Sequence, residues 1–252
     1  MKRMISALIA LLFFFMIVTV LNSDSSDSMG IPRYGEVKLS ERVSAKYIEK
    51  SVNGNEDEIN FGVTADAETG SANMVTSIVV NYRSFDTLGE VTVLFISATG
   101  VGLLLGGGRK RVGSAISVSP IVKNASRVIA PLLMVLGIYV FVHGHLTPGG
   151  GFPGGAIIAA GFLLLVAVDD EKRASKGLKI LEGTMGLLYV LIGIAGLLIS
   201  GSFLKNFLPT GVVGELFSAG IIPVVYSVIG IKVGAELSGI VDDFISEGGD
   251  EA

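Results

Sequence analysis

The sequence contains no cysteine and only two histidines among its 252 residues. Without cysteine, the chain alone cannot form a disulfide, an iron–sulfur cluster or a thiolate metal site. Two histidines are too few for the paired haem ligands that recur across some helix bundles. The net charge is −4 and no basic stripe runs along the chain, so nothing indicates binding to nucleic acid.

Charged residues are also scarce, at 17% of the chain, whereas soluble domains have about 25%. They are clustered, and long apolar stretches separate the clusters. Half of the residues are hydrophobic, and the mean hydropathy is +0.67. Recurring runs of about 18 or more mostly apolar residues are typical of membrane-spanning helices. The composition therefore predicts an integral membrane protein and argues against a soluble enzyme.

The hydropathy pattern predicts an all-α integral membrane protein with about six transmembrane helices. The expected spans are residues 4–21, 88–105, 128–146, 154–168, 178–198 and 212–237. A signal peptide is the alternative for the first span, but no small-residue cleavage pattern follows it, which favours a retained helix. Glycine is about twice as frequent as usual, and within apolar helices it indicates close packing or broken helices.

The polar and basic stretches predict how the chain is organised. A long polar loop, residues 22–73, follows the first span and carries no catalytic signature. A basic, glycine-rich stretch, residues 106–118, separates two groups of spans, which predicts a fusion of two smaller membrane subunits, 1–115 and 116–252. By the positive-inside rule, both termini are cytoplasmic and the polar loop is outside, in a multi-pass protein of the cytoplasmic membrane.

Arg83, Asp86 and Glu90 are spaced so that they share one stripe of a helix. They are the only charged residues between Ala72 and Leu105. An ionisable group at membrane depth is costly and normally faces protein, water or an opposite charge. These residues are therefore candidates for a proton or cation path, in which Arg83 tunes the carboxylates. Alternatively, Asp86 caps the helix and Glu90 lies near its positive N-terminal end.

Lys232 and Glu236 are four residues apart in the last span and so share one helix face. Gly230 and Gly234 form a separate face of small residues, which predicts close helix packing. A buried lysine can exchange protons, so Lys232 and Glu236 are candidates for the ion path. In the alternative, Lys232 reaches the cytoplasmic interface and Glu236 lies outside the apolar core. Glu182, near the end of the fifth span, is expected at the interface.

Residues 143–155 read H-G-H-L-T-P-G-G-G-F-P-G-G and join two apolar spans. Proline stops helices, and glycine allows close approach of the backbone. The stretch is therefore either an outer turn or a broken-helix element that lines an ion path. His143 and His145 are candidates for titration near neutral pH, but no third metal ligand is evident. The expected turn residues are Pro148, Gly149, Gly150, Gly151, Phe152, Gly154 and Gly155.

At these residues the sequence resembles two components of the Mrp-type multisubunit sodium/proton antiporter. Residues 79–105, with F-D-T-L-G-E at 85–90, look like the C-terminal part of its large A-type component. Residues 119–168, with the motif at 143–155, look like its B-type component, also called MnhB, and residues 231–235 resemble the end of MnhB. Similar pieces occur in archaeal energy-converting complexes of the membrane-bound hydrogenase and sulfur-reductase type, which resemble respiratory complex I.

The resemblance implies an accessory ion-translocating subunit with no active site and no cofactor of its own. Its implied partners are larger antiporter subunits, sodium ions and protons, and a peripheral redox arm with iron–sulfur or nickel centres. By motif position, Asp86 and Glu90 are candidates for the ion path, His143 and His145 belong to a structural or gating turn, and Lys232 matches a family lysine. A structural adaptor and a self-sufficient transporter remain alternatives, although the halves lack an inverted pair of broken segments.

Overall fold

The structure, a computed structural model, describes the chain in several ranges. These are residues 9–16, 18–19, 60, 62–105, 118–168 and 176–247. The chain forms two compact units, residues 1–48 and 49–252, and in the first unit residues 9–16 and 18–19 are helical. The remainder of the expected first span, most of the polar loop, the basic connector at 106–117 and the tail at 248–252 lie outside the described residues.

Six α-helices make up most of the described part of the second unit. They are α1 (Met74–Ser77), α2 (Ser84–Leu105), α3 (Pro120–Val142), α4 (Gly151–Val168), α5 (Lys176–Ser200) and α6 (Ile222–Glu247). A π-helical turn, Ile78–Tyr82, lies between α1 and α2. Across the described ranges there is no β-strand beyond an isolated bridge between Ala65 and Val212, so the all-α prediction is confirmed.

Helices α2 to α6 are each long and apolar enough to cross a membrane. The described residues therefore contain five candidate spans, and the expected span at 4–21 is described only in part. Several helix ends differ from the sequence prediction. Helix α2 begins at Ser84 rather than at residue 88. Helix α3 begins at Pro120 rather than at residue 128 and ends at Val142 rather than at residue 146.

The predicted start of the last span, at residue 212, was wrong. Helix α6 begins at Ile222, and most of the ten residues before it form turns and bends, with Val212 in the isolated bridge. Gly214 has a φ of 103°, in the region that only glycine adopts at low cost. The apolar composition of this segment resembles that of a helix, but the backbone conformation at Gly214 is incompatible with one.

The glycine-rich stretch after the two histidines is the beginning of a helix. Helix α4 starts at Gly151 and has Pro153 in its first turn, where an N–H group has no partner within the helix. Proline therefore costs α4 no hydrogen bond. Gly151, Phe152, Gly154 and Gly155, expected in the turn, lie in α4, and the turn itself covers residues 143–150.

Helix α6 lies at the centre of the described bundle and packs against α2, α3, α4 and α5. Its backbone comes close to that of α4 at Gly155. A Cβ atom there would lie 2.8 Å from the carbonyl oxygen of Gly230 and 2.9 Å from the nitrogen of Gly234. Gly137 of α3 meets α4 similarly, because its Cβ would lie 2.6 Å from the Gly154 oxygen. Glycines thus allow the backbones of these helices to touch.

Candidate functional site

Lys232 and Glu236 form a buried ion pair on α6. Lys232 Nζ lies 2.6 Å from Glu236 Oε2, and the two side chains are 5% and 0% exposed. The other carboxylate oxygen, Glu236 Oε1, is buried and has no hydrogen-bond partner among the described residues. Burying two charges is costly even when they pair, so a buried pair is weak evidence for added stability. The location of this pair within an apolar helix makes it a candidate for function.

Two neighbouring helices close around Lys232. On the α2 side, its Nζ lies 5.7 Å from the centroid of the Phe95 ring. On the α5 side, a Cβ atom at Gly186 would lie 3.4 Å from Lys232 Cε. Glu182, one helical turn before Gly186, is half-buried and interacts electrostatically with Lys232 and with Glu236. Glu182 is therefore near enough to the ion pair to interact with its charges.

Glu90, on α2, is exposed in this chain and lies near two tyrosines of the neighbouring helices. Its charge interacts with the side chains of Tyr189 on α5 and Tyr226 on α6. The buried hydroxyl of Tyr189 has no hydrogen-bond partner within the described ranges. The hydroxyl of Tyr226 donates to Thr76 Oγ1 at 3.2 Å. Sequence reasoning missed both tyrosines, because a single tyrosine in an apolar span gives little signal.

The two groups of polar residues lie at different levels along α6, which packs against both α2 and α5. Tyr226 precedes Lys232 by about 9 Å along α6, at the usual helical rise per residue. On α5, which runs antiparallel to α6, Glu182 and Tyr189 are separated by about 10 Å. Helices α2, α5 and α6 therefore hold one polar level at Glu90 and a second at the ion pair.

Arg83 and Asp86 pair with each other at the start of α2. Arg83 Nη2 lies 2.6 Å from Asp86 Oδ2, and the side chains are 63% and 49% exposed. An exposed pair of this kind contributes little to stability. Asp86 is in the first turn of α2, whereas Glu90 lies one turn further along. The predicted stripe is thus divided between a charge pair at the helix start and a separate carboxylate.

His143 and His145 occupy different surroundings. His143 stacks on the Tyr139 ring, with centroids 4.2 Å apart, and its Nδ1 lies 3.1 Å from the Tyr139 carbonyl oxygen. His145 is fully buried, and its Nε2 donates to the carbonyl oxygen of Leu216 at 3.1 Å. Burial lowers the pKa of His145, which keeps the ring neutral near pH 7. Within the described ranges, no three His, Asp or Glu side chains are arranged to hold a metal ion.

Three side chains that precede α2 hold the backbone of the turn at 143–150. Ser71 Oγ donates to the carbonyl oxygen of His145 at 2.9 Å. Thr76 Oγ1 donates to the carbonyl oxygen of Gly144 at 2.8 Å. The amide of Asn73 donates two more hydrogen bonds to carbonyls of the turn, both at 3.0 Å. We name Ser71, Asn73 and Thr76 the polar clamp.

Five helices that are long and apolar enough to cross a membrane place the chain among multi-pass membrane proteins. Two family models match it over adjoining ranges. Residues 121–239 match a domain related to the MnhB subunit of Na+/H+ antiporter, and residues 42–119 match MbhE, a component of MBH. The first range includes the turn at 143–150 and the ion pair, and the second includes Glu90.

Two relatives extend the comparison. An uncharacterized protein of Methanocaldococcus jannaschii is 34% identical over 196 residues, which are 66% of this chain and 74% of that protein. A Staphylococcus saprophyticus protein named for antiporter subunit mnhB2 is 30% identical over 47% of this chain and 92% of its own length. The chain belongs to the MnhB-related family of antiporter subunits and is an MnhB-like component of a membrane complex.

Solved structures of multisubunit membrane complexes contain similar chains. One is from the membrane-bound sulfane sulfur reductase, described as an archaeal respiratory membrane complex. Its chain is 38% identical, with a TM-score of 0.75, and the match covers 96% of this chain and 97% of that one. A chain of the Mrp complex from Dietzia sp. DQ12-45-1b has the same fold, with a TM-score of 0.66 at 24% identity, over 100% of this chain and 26% of that one.

Proposed function

We propose that the chain is a non-catalytic membrane subunit of a Mrp-type sodium/proton antiporter module, coupled to a redox-driven energy-converting complex. Its family membership supports the antiporter part of the proposal. The likeness to a chain of an archaeal respiratory complex along nearly its whole length supports the coupling. The partners in this proposal are larger antiporter subunits, a peripheral iron–sulfur or nickel arm, sodium ions and protons.

The observation that carries the proposal is the buried pair of Lys232 and Glu236. A single charged side chain at the centre of a membrane helix costs about 3 kcal/mol on insertion scales. Apolar residues at both positions would avoid that cost, and buried pairs replaced in this way often leave a protein equally stable. In a subunit that takes part in ion movement, a buried group that can gain or lose a proton has a role. Such a role explains why the chain carries this pair despite its cost.

The exposure of α2 supports a heteromeric assembly. Only 6% of an 18-residue apolar segment of α2 is buried in this chain. Glu90 lies on this helix among exposed hydrophobic residues such as Val93 and Ile96. A carboxylate in contact with lipid tails is costly, so ionisable residues in membrane helices normally face protein or water. In this proposal, the Glu90 side chain lies at the contact of α2 with a larger antiporter subunit.

The alternative of a purely structural adaptor has less support. It requires the glycine faces of the last helix to contact other subunits. Instead, Gly230 packs against Phe141 of α3, and Gly234 packs against Ile158 of α4. The helix faces at these glycines are therefore already packed against helices of the same chain. A self-sufficient transporter also has less support, because similar chains occur within multisubunit complexes.

Two further parts of the proposal concern organisation. The two family models adjoin near residue 120, which supports a fusion of two subunits, 1–115 and 116–252. The basic residues in short loops support a location in the cytoplasmic membrane with both termini cytoplasmic.

The proposal is tested by isolating the complex through a tag on this chain in mild detergent. We expect antiporter subunits and iron–sulfur or nickel proteins to co-purify. The complex is then reconstituted in liposomes, and sodium/proton exchange is measured for Glu90→Gln beside Glu215→Gln, an exposed loop carboxylate. We expect exchange to fall at least tenfold only in the first variant, with unchanged subunit composition. Normal exchange would remove Glu90 from the ion path, and a folded chain isolated alone would overturn the proposal.

A further inference from the structure

We propose that Glu182, Lys232 and Glu236 form a binding site for one proton within the helix bundle. In this site Lys232 contacts one of the two carboxylates, and the proton resides on the other. The inference deepens the proposed function and rests on it for its biological purpose, because it names the group that would hold a proton in this subunit. The site itself can be tested without any measurement of transport.

The geometry places one ammonium group in contact with one carboxylate and beside the helix turn that carries a second. Lys232 Nζ contacts Glu236 Oε2 at 2.6 Å on its own helix. Its Cε faces Gly186, where an added Cβ would lie 3.4 Å away. Residues four apart share a helix face, so Glu182 lies on the same side of α5 as Gly186 and one turn along from it. A lysine has a flexible four-carbon stem and three donors, so small rotations can exchange its partner carboxylate.

The charge balance of these three groups favours one bound proton. Lys232 neutralises one carboxylate, and the second would remain as a net negative charge in a largely apolar bundle, either buried at Glu236 or half-buried at Glu182. Such a group takes up a proton in preference to staying charged, because burial penalises the ionised form. Both oxygens of an ionised carboxylate are hydrogen-bond acceptors. The buried Oε1 of Glu236, however, has no hydrogen-bond partner among the described residues. The step is simple: –COO⁻ and H⁺ give –COOH.

Among the residues that the structure describes, few other ionisable groups act on these carboxylates. Helix α4 has no ionisable residue, and α2 contributes the Phe95 ring to this level. On α5, Lys179 also interacts with Glu182, but its side chain is exposed and its effect is weakened by solvent. The remaining charged residues of the packed helices are Lys123 and Arg127 near the start of α3, Arg83, Asp86 and Glu90 on or beside α2, Lys176 at the start of α5, and Asp242, Asp243 and Glu247 on α6.

The test is infrared difference spectroscopy of the purified complex during a pH titration, which detects protonated carboxyl groups. The variants are Glu182→Gln, Glu236→Gln and Lys232→Gln, with Glu215→Gln as the control. We expect the loss of one carboxylic acid per complex in each of the first two variants. In Glu236→Gln, Lys232 turns to Glu182, which then becomes ionised, so the proton is lost although Glu182 remains.

Lys232→Gln has the opposite expected result. Without the ammonium group both carboxylates take up protons, so the complex gains one carboxylic acid. The control spectrum matches wild type. Unchanged spectra for Glu182→Gln and Glu236→Gln would overturn the proposal, as would loss of the signal in only one of them, because the carboxylates would not share a proton. Removal of the wild-type signal by sodium at constant pH would also overturn it and assign the site to a metal cation.

Two measurements guard against trivial results. The yield of the complex is compared for all variants, and Glu182→Asp, which keeps a carboxylate, is expected to retain the signal. Sodium/proton exchange is measured separately. Loss of the carboxylic acid with unaltered exchange would support the site and count against the proposed function, so the two failures are distinguishable.

Discussion

Helices α2 and α6 are both apolar and long enough to cross a membrane, but they differ in what surrounds them. In an 18-residue apolar segment of each helix, 61% of the residues are buried in α6 and 6% in α2. On α6, the charge of Lys232 is met by Glu236 within the same chain. On α2, Glu90 is exposed. Helix α6 is therefore packed within its own chain, whereas the exposed surface of α2 is where we propose that another subunit packs.

The glycines of the two helices differ in the same way. On α6, a Cβ at Gly230 would clash with the Phe141 ring, and a Cβ at Gly234 would lie 3.3 Å from Ile158. On α2, Gly89 and Gly100 have nothing within 4 Å of an added Cβ. One residue type therefore serves two purposes. At Gly230 and Gly234 of α6 it makes room for neighbours of the same chain, and at Gly89 and Gly100 of α2 it leaves the surface open.

The largest effect is expected from removing the buried charge on α6. Lys232→Met leaves Glu236 without a partner, and breaking a buried pair costs about 3–5 kcal/mol. The double change Lys232→Met with Glu236→Leu removes both charges and is expected to regain most of that loss. Unfolding of the purified complex in a graded denaturant measures both. Lys205→Met, at an exposed position, is the control, and additive effects in the double variant would contradict the idea of a coupled pair.

A smaller effect is expected from closing the contact between α4 and α6. Gly155→Ala places a methyl group 2.8 Å from the Gly230 oxygen and from Val233 Cβ, and overpacking of this kind costs about 1–3 kcal/mol. Gly239→Ala is the matched control on α6, because nothing lies within 4 Å of its added Cβ. Thermal unfolding of the complex should separate the two variants. Equal stability would mean that the helices can shift apart freely.

The smallest effect is expected from His145, in the turn at 143–150. Burial lowers its folded-state pKa, so the unfolded chain binds a proton at a higher pH than the folded chain. Stability is therefore full above the ordinary histidine value of about 6.5 and is lost as the pH falls below it. In His145→Gln, whose amide can still donate to Leu216, this acid loss should diminish. His143→Gln should retain it, and identical pH profiles in thermal unfolding would refute the assignment.

The sequence predicts the helices and the i, i+4 pairing of Lys232 with Glu236 because both depend on local periodicity. It did not predict the place of Glu182 beside them, since that depends on how α5 packs against α6. It also assigned Gly151 to a turn, because a run of glycine and proline is typical of one. The first turn of a helix tolerates proline, and close packing against α6 requires the glycines, so the same composition forms a helix.

The resemblance gave the family, which the comparisons confirm. The motif at 143–155 identified the relatives but not the surroundings of its two histidines. Those surroundings come from segments far away in the chain, such as Leu216, and from the polar clamp. Contacts between distant segments leave no spacing pattern in one sequence, and this is why the clamp was not anticipated.

The polar clamp has a consequence for how the chain could be divided. Its donors precede α2, and its acceptors lie in the turn between α3 and α4, on opposite sides of the connector at 106–117. If the two parts were separate polypeptides, these hydrogen bonds would become an intermolecular docking interface of fixed register. In that case the connector serves only to keep the two parts at a high effective concentration relative to each other. If the gene were split at the connector, we would therefore expect the two parts to reassemble by complementation.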